Sequence, residues 1–160
     1  MLDDVLAFTE NLPVRALAAG EVLFREGDSS AGLFVLVEGE LVVDTNGVVV
    51  NRLGVPGAFV GEIGALLGQG RTANVTAAIE SSVRVIDDPR ALFAAHPELG
   101  FEIARQLAGR LHRLTAYVSD VERQFGHLDD HRAMFGELLV RIASRPPVDI
   151  DPGSDRSPDS

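Results

Sequence analysis

The chain has 160 residues, a formal charge of −10 and no cysteine, and all 14 of its basic residues are arginine. Such acidity argues against binding nucleic acid or an anionic membrane, where affinity comes from neutralising phosphates, and the absence of Cys removes disulfide and thiolate chemistry. No apolar run reaches the length of a membrane span, and Met1-Leu2-Asp3-Asp4 has the wrong charge for a signal peptide, so a cytoplasmic protein is expected. In chain order, Leu2, Val5, Leu6 and Leu12 share one helical face, and Asp3 and Asp4 favour a helix start. A helix is therefore predicted over residues 2–12, ended by Pro13. From Val14 the rhythm changes to short apolar runs: Val14–Leu17, Val22–Phe24, Leu33–Val37, Leu41–Val43 and Val48–Leu53. Turn residues separate them, and Glu38-Gly39 and Asn46-Gly47 are strong hairpin signals. Two further runs, Asn74–Ala77 and Val83–Ile86, complete a pattern of short, evenly spaced strands. That pattern belongs to a sandwich or barrel.

Between those runs lies the stretch from Gly57 to Val75, which crowds Gly and Ala residues around Glu62 and Arg71. Small residues let backbone amides come close to a ligand. Glu62 to Leu67 can hold one helical turn whose N–H groups face an anion. Arg71 adds a fork of donors matched to two phosphate oxygens. Glu62, when ionised, only accepts hydrogen bonds, which suits a sugar hydroxyl. Together these features describe a nucleotide pocket.

The residues Phe59-Val60-Gly61-Glu62-Ile63-Gly64 and Arg71-Thr72-Ala73-Asn74-Val75 resemble the phosphate-binding cassette of cyclic-nucleotide-binding domains of the cAMP receptor protein type. Val60 departs from the second aromatic of many members, and the turn Gly68-Gln69-Gly70 is short and lacks an acid or a proline. Glu21 to Asp28 and Leu33 to Val43 are similar to the strands and glycine turns that precede the cassette, so the likeness covers about residues 12 to 125. It implies an α+β fold: an antiparallel, jelly-roll-like β-roll of about eight strands, flanked by a short N-terminal helix and a long C-terminal dimerisation helix. It also implies cAMP or cGMP as ligand, held by Gly61, Glu62, Ile63, Arg71, Thr72 and Ala73. The Thr72 hydroxyl is expected on the phosphate or on the amino group of a syn guanine. Val43 and Val50 fall at family positions that line the base, although a strand valine is ordinarily core. Thr115 matches a position whose hydroxyl reaches the purine in family dimers.

After Asp87-Asp88-Pro89 the pattern turns helical, with a short helix over residues 90–96 and a long one opened by Pro97. Leu107, Leu111, Leu114, Val118, Val121, Phe125 and Leu128 alternate spacings of four and three, an a/d seam that asks for a partner helix. The family resemblance makes that partner a second copy. The expected organisation is a nucleotide-binding domain over 1–125 with its long helix 98–125, a helical extension over 126–145, and a disordered acidic Pro/Ser tail over 146–160. The last 30 or so residues are too acidic and apolar for the basic DNA-binding domain of the transcription-factor members, so a stand-alone module is expected.

Catalysis and metal binding find no support in the sequence. His127 and His131 are spaced for one helix face but lack a third ligand, and no nucleophile stands with a base. The function expected is a cyclic-nucleotide sensor that signals to a separate effector protein, with no cofactor, membrane or nucleic-acid partner. The alternative is the same fold kept as a dimerisation or interaction scaffold that binds no nucleotide.

Overall fold

The computed structural model of the protein describes residues 2–29 and 32–125. The chain divides after Arg110 into two units. The first begins with α1 (Leu2–Phe8), then β1 (Val14–Leu17), β2 (Val22–Phe24), β3 (Leu33–Glu38), β4 (Leu41–Thr45), β5 (Val48–Leu53) and β6 (Phe59–Val60). It continues with α2 (Glu62–Leu67), β7 (Asn74–Ala77), β8 (Ser81–Ile86), α3 (Pro89–Ala95) and the start of α4 (Pro97–Phe125). The remainder of α4 is the described part of the second unit.

The strands form two four-stranded antiparallel sheets, in the orders β1-β8-β3-β6 and β2-β7-β4-β5. This is the expected β-roll. Side-chain alternation along a strand decides which residue goes where. In β3, Leu36 joins the interior cluster with Leu17, Leu23, Leu41, Leu53, Val60, Val75 and Val83, which both sheets supply. Leu33 and Val35 point the other way, into a second cluster with Val5, Phe59, Ile86, Leu99 and Ile103. The first sheet is thus apolar on both faces, and the helices cover its outer one. Even two-residue β6 is split, Val60 inward and Phe59 toward the helices.

Several elements differ from expectation, β4 among them, which runs on to Thr45. Strand β6 was hidden in a Gly/Ala-rich stretch and exists because Phe59 and Val60 pair with Val35 and Phe34. Strand β8 begins at Ser81, two residues early, because Ser81 and Ser82 pair with Leu17 and Ala16. Helix α3 starts at Pro89, with the Asp88 carboxylate accepting the Ala91 N–H at 3.0 Å as N-cap. Helix α1 stops at Phe8, beyond which the bonds tighten to Glu10 N–H onto Ala7 O and Leu12 N–H onto Thr9 O, while the buried Thr9 hydroxyl donates to Val5 O at 2.6 Å. The Asn46-Gly47 hairpin is as expected, with φ of 53° and 76° in a two-residue loop. The predicted helix over 126–145, the tail over 146–160, and His127, His131 and Leu128 lie outside the described residues.

Candidate functional site

The stretch between β6 and β7 folds as a single helical turn between two glycines. Gly61 precedes α2 with φ +83°, a left-handed conformation, and Gly68 follows it with φ +63°. A Cβ at residue 61 would stand 2.5 Å from Nη1 of Arg71, so this position needs glycine both for its backbone and for its neighbour.

Arg71 is almost fully buried, 3% exposed. Its backbone is locked to the Gly27-Asp28 turn, with Arg71 N–H donating to Asp28 O at 2.9 Å and Gly27 N–H donating to Arg71 O at 2.8 Å. Its guanidinium lies over the Phe24 ring, 4.3 Å from the centroid, and donates from Nη1 to Gly61 O at 3.1 Å. Burial pushes its pKa down, while the carboxylates of Asp28 and Glu62 push it back up. A cation kept so far from water, with donors on its edge, is suited to an anion that brings its own charge.

Glu62 is equally buried, and its partner comes from α4. Arg110 donates from Nη1 to Glu62 Oε1 and from Nη2 to Phe59 O at 2.8 Å. One helical turn earlier, Gln106 accepts the Phe59 N–H at 3.0 Å and donates to Gly57 O at 3.1 Å. Strand β6 is an edge strand, and the Gln106 amide offers it the donor and acceptor that a neighbouring strand would offer. Glu102, another turn back, is paired with Arg105, whose bonds hold its carboxyl below the usual carboxylate range. The same helix therefore carries a polar ladder, Glu102, Gln106 and Arg110, beside its apolar stripe of Leu99, Ile103 and Leu107.

The expected residues separate into groups. Gly61, Glu62 and Arg71 are brought together, with Ala73 half-buried just beyond them. Thr72 and Ile63 are exposed beside them. Val43 packs against the interior cluster, as core, whereas Val50 is 60% exposed on β5. Thr115 lies in the second unit, its hydroxyl donating to Leu111 O at 2.9 Å in its own helix. Leu107, expected in the intermolecular seam, packs instead against the cluster under α1 and α3, because its turn of α4 still covers the first sheet. Leu111 and Leu114 are exposed, Val118 and Val121 half-exposed, and the Phe125 side chain lies outside the described residues.

Three contributors escaped the sequence reading: Phe24, Gln106 and Arg110. The i, i+4, i+8 spacing of Glu102, Gln106 and Arg110 was a legible signal, a polar line at the margin of an apolar face. Among the described residues no group of His, Cys, Asp or Glu is placed to hold a metal ion, and no helix is long and apolar enough to cross a membrane.

Residues 14–93 match the family model described as the cyclic nucleotide-binding domain. The chain is 37% identical over 99 residues to a cyclic nucleotide-gated potassium channel of Mesorhizobium japonicum, covering 61% of this chain and 27% of the channel. It is 34% identical over 84 residues to cGMP-dependent protein kinase isozyme 1 of Drosophila melanogaster, covering 52% of this chain and 11% of the kinase. Among solved structures, a protein of a cyclic-GMP-dependent signalling pathway that regulates bacterial phytopathogenesis superposes with a TM-score of 0.58 at 26% identity, over 71% of this chain and 94% of that one. The chain spans less than a third of the length of these curated relatives.

Proposed function

The chain belongs to the cyclic nucleotide-binding domain family, and on that premise we propose that it senses a purine 3′,5′-cyclic monophosphate and passes the signal to a separate effector. The observation that carries this is the pair of buried opposite charges flanking Gly61: Arg71, whose Nη1 meets Gly61 O, and Glu62. Arg71 takes the cyclic phosphate, with Thr72 at hand beside it. Glu62 accepts the ribose 2′-hydroxyl, using the carboxylate that Arg110 orients through Oε1. Gly61, Ile63 and Ala73 form the close backbone walls of the cradle.

Signalling follows from who holds Glu62. A ligand hydroxyl on that carboxylate changes the partner set of Arg110, and with it the grip of α4 on β6, giving two placements of the helix that ligand weighs differently. Leu111, Leu114, Val118 and Val121 then form a seam with the same residues of a second copy. Leu114→Glu sets two like charges in that seam, and sedimentation should show the altered chain as a monomer where the unaltered chain is a dimer.

Titration calorimetry and thermal melts with cAMP and with cGMP test the binding. Ligand at a hundredfold excess over its dissociation constant stabilises the fold by about 2.7 kcal/mol, a rise of several degrees in Tm. No heat and no shift with either nucleotide at millimolar concentration would leave the fold as an interaction scaffold.

A further inference from the structure

Resting on the cyclic-nucleotide reading above, we propose that Phe24 is a positioning residue for the phosphate contact, its ring fixing which edge of the Arg71 guanidinium meets the ligand. A planar cation has two orientations to fix: the plane itself and its rotation within that plane. The Phe24 ring, 4.3 Å from Cζ, takes one face and fixes the plane. The bond from Nη1 to Gly61 O at 3.1 Å fixes the rotation. Together the ring and the carbonyl set the attitude in which the guanidinium meets a phosphate.

The ring is itself held. Phe24 stacks on Phe34 with centroids 5.9 Å apart and 24° between planes, and both pack against the interior cluster of the roll. The cassette backbone rests on the same ring, since a Cβ at residue 61 would lie 3.3 Å from a Phe24 ring carbon. One aromatic side chain at the end of β2 thus supports both the guanidinium and the glycine that accepts its bond. A long arginine side chain without that floor would have several rotamers open to it, and each would present a different edge.

The consequence is stereochemical. A cyclic phosphate has two non-bridging oxygens in inequivalent positions, and a fixed guanidinium edge distinguishes them. Replacing one oxygen by sulfur, a larger and poorer acceptor, gives the Sp and Rp phosphorothioates. The ratio of their affinities therefore reports guanidinium orientation, which overall fold stability does not move. Dissociation constants of cAMP, cGMP and both phosphorothioates of the tighter nucleotide are to be measured on the unaltered chain, Phe24→Leu and Leu17→Ala. The unaltered chain should separate the diastereomers by about tenfold or more, the weight of one good charged bond. In Phe24→Leu the ratio should fall toward one and affinity for the parent nucleotide should drop about tenfold, whereas Leu17→Ala, taken from the same interior cluster but away from the guanidinium, should keep the ratio.

Equal ratios in the two variants would overturn the proposal, as would an unaltered chain that binds nucleotide without discriminating the diastereomers. An unaltered chain that binds neither nucleotide overturns the sensor reading itself, and this proposal with it. If Phe24→Leu does not fold, pentafluorophenylalanine at position 24 keeps the ring shape and reverses its charge distribution. The ratio should then fall as for leucine, and an unchanged ratio again counts against the proposal.

Discussion

Arg71 and Glu62 stand at opposite ends of one short turn, yet the roll holds the first and a helix holds the second. Arg71 is held by the β-structure and its loops, through the Phe24 and Phe34 rings, the Gly61 carbonyl and the Gly27-Asp28 turn. Glu62 is fixed by Arg110, 48 residues away on α4, beside Gln106 which clamps the same strand. The surroundings of Arg71 are therefore built by the roll, whereas those of Glu62 include α4; on the proposed reading the first meets the phosphate and the second the ribose. A ligand that touches both residues, as proposed, couples the roll to α4.

The largest expected effect removes Arg71. Arg71→Leu takes away two charge-assisted bonds to phosphate, and affinity should fall by about a hundred- to a thousandfold, or roughly 3–4 kcal/mol. The fold should keep most of its stability, because leucine retains apolar contact with the Phe24 and Phe34 rings. Calorimetry and a urea titration separate the two. A small affinity loss with a large stability loss would make Arg71 a structural arginine and break the comparison.

The Glu62 side should respond in the opposite way. Arg110→Leu leaves Glu62 buried without the cation from α4. Breaking such a pair costs about 3 kcal/mol of stability, the low end for buried pairs because the Arg110 side chain is 22% exposed. Urea midpoints check this directly. An Arg110→Leu chain as stable as the unaltered one would mean that Glu62 does not depend on α4.

Gly61→Ala sharpens the comparison by striking the hinge between the halves. A left-handed backbone costs an alanine about 1–2 kcal/mol, and the new methyl pushes on Arg71 Nη1 at 2.5 Å. Both stability and nucleotide affinity should fall. If only stability falls, the guanidinium has room to step aside, and the Gly61 carbonyl is not what sets its direction.

How much of this was legible in the sequence follows the same division. The strands, the Asn46-Gly47 hairpin and the cassette were readable because each is a local pattern: a period of two, a turn dipeptide, a charge among glycines. Strand β6 was not, since two residues carry no period and only their pairing with β3 defines them. Arg71 and Glu62 announced themselves by their neighbours. Phe24 looked like one more strand aromatic, and Arg110 like one more charge on a long helix. Both owe their part to contacts across 47 and 48 residues of chain, which spacing along the sequence does not encode. Leu107 fitted the seam by spacing, but its turn of α4 packs on the roll, a tertiary contact that spacing does not reveal.

The smallest effect is the most specific test of the ribose half. Glu62→Gln is preferable to alanine here, because the amide oxygen still accepts from Arg110 and the pairing with α4 keeps its geometry. The amide oxygen also still accepts from a ribose hydroxyl, but without a charge, so the bond drops from the charge-assisted range toward about 1 kcal/mol. Affinity for the cyclic nucleotide should fall by roughly fivefold to tenfold. Removing the hydroxyl from the ligand removes the same bond from the other side. A 2′-deoxy cyclic nucleotide should lose its full penalty on the unaltered chain and only part of it on Glu62→Gln, the non-additivity that a direct contact produces. Calorimetry on the four combinations closes the cycle. A 2′-deoxy penalty of equal size on both chains would place the ribose on another group, and Glu62 would then serve α4 alone.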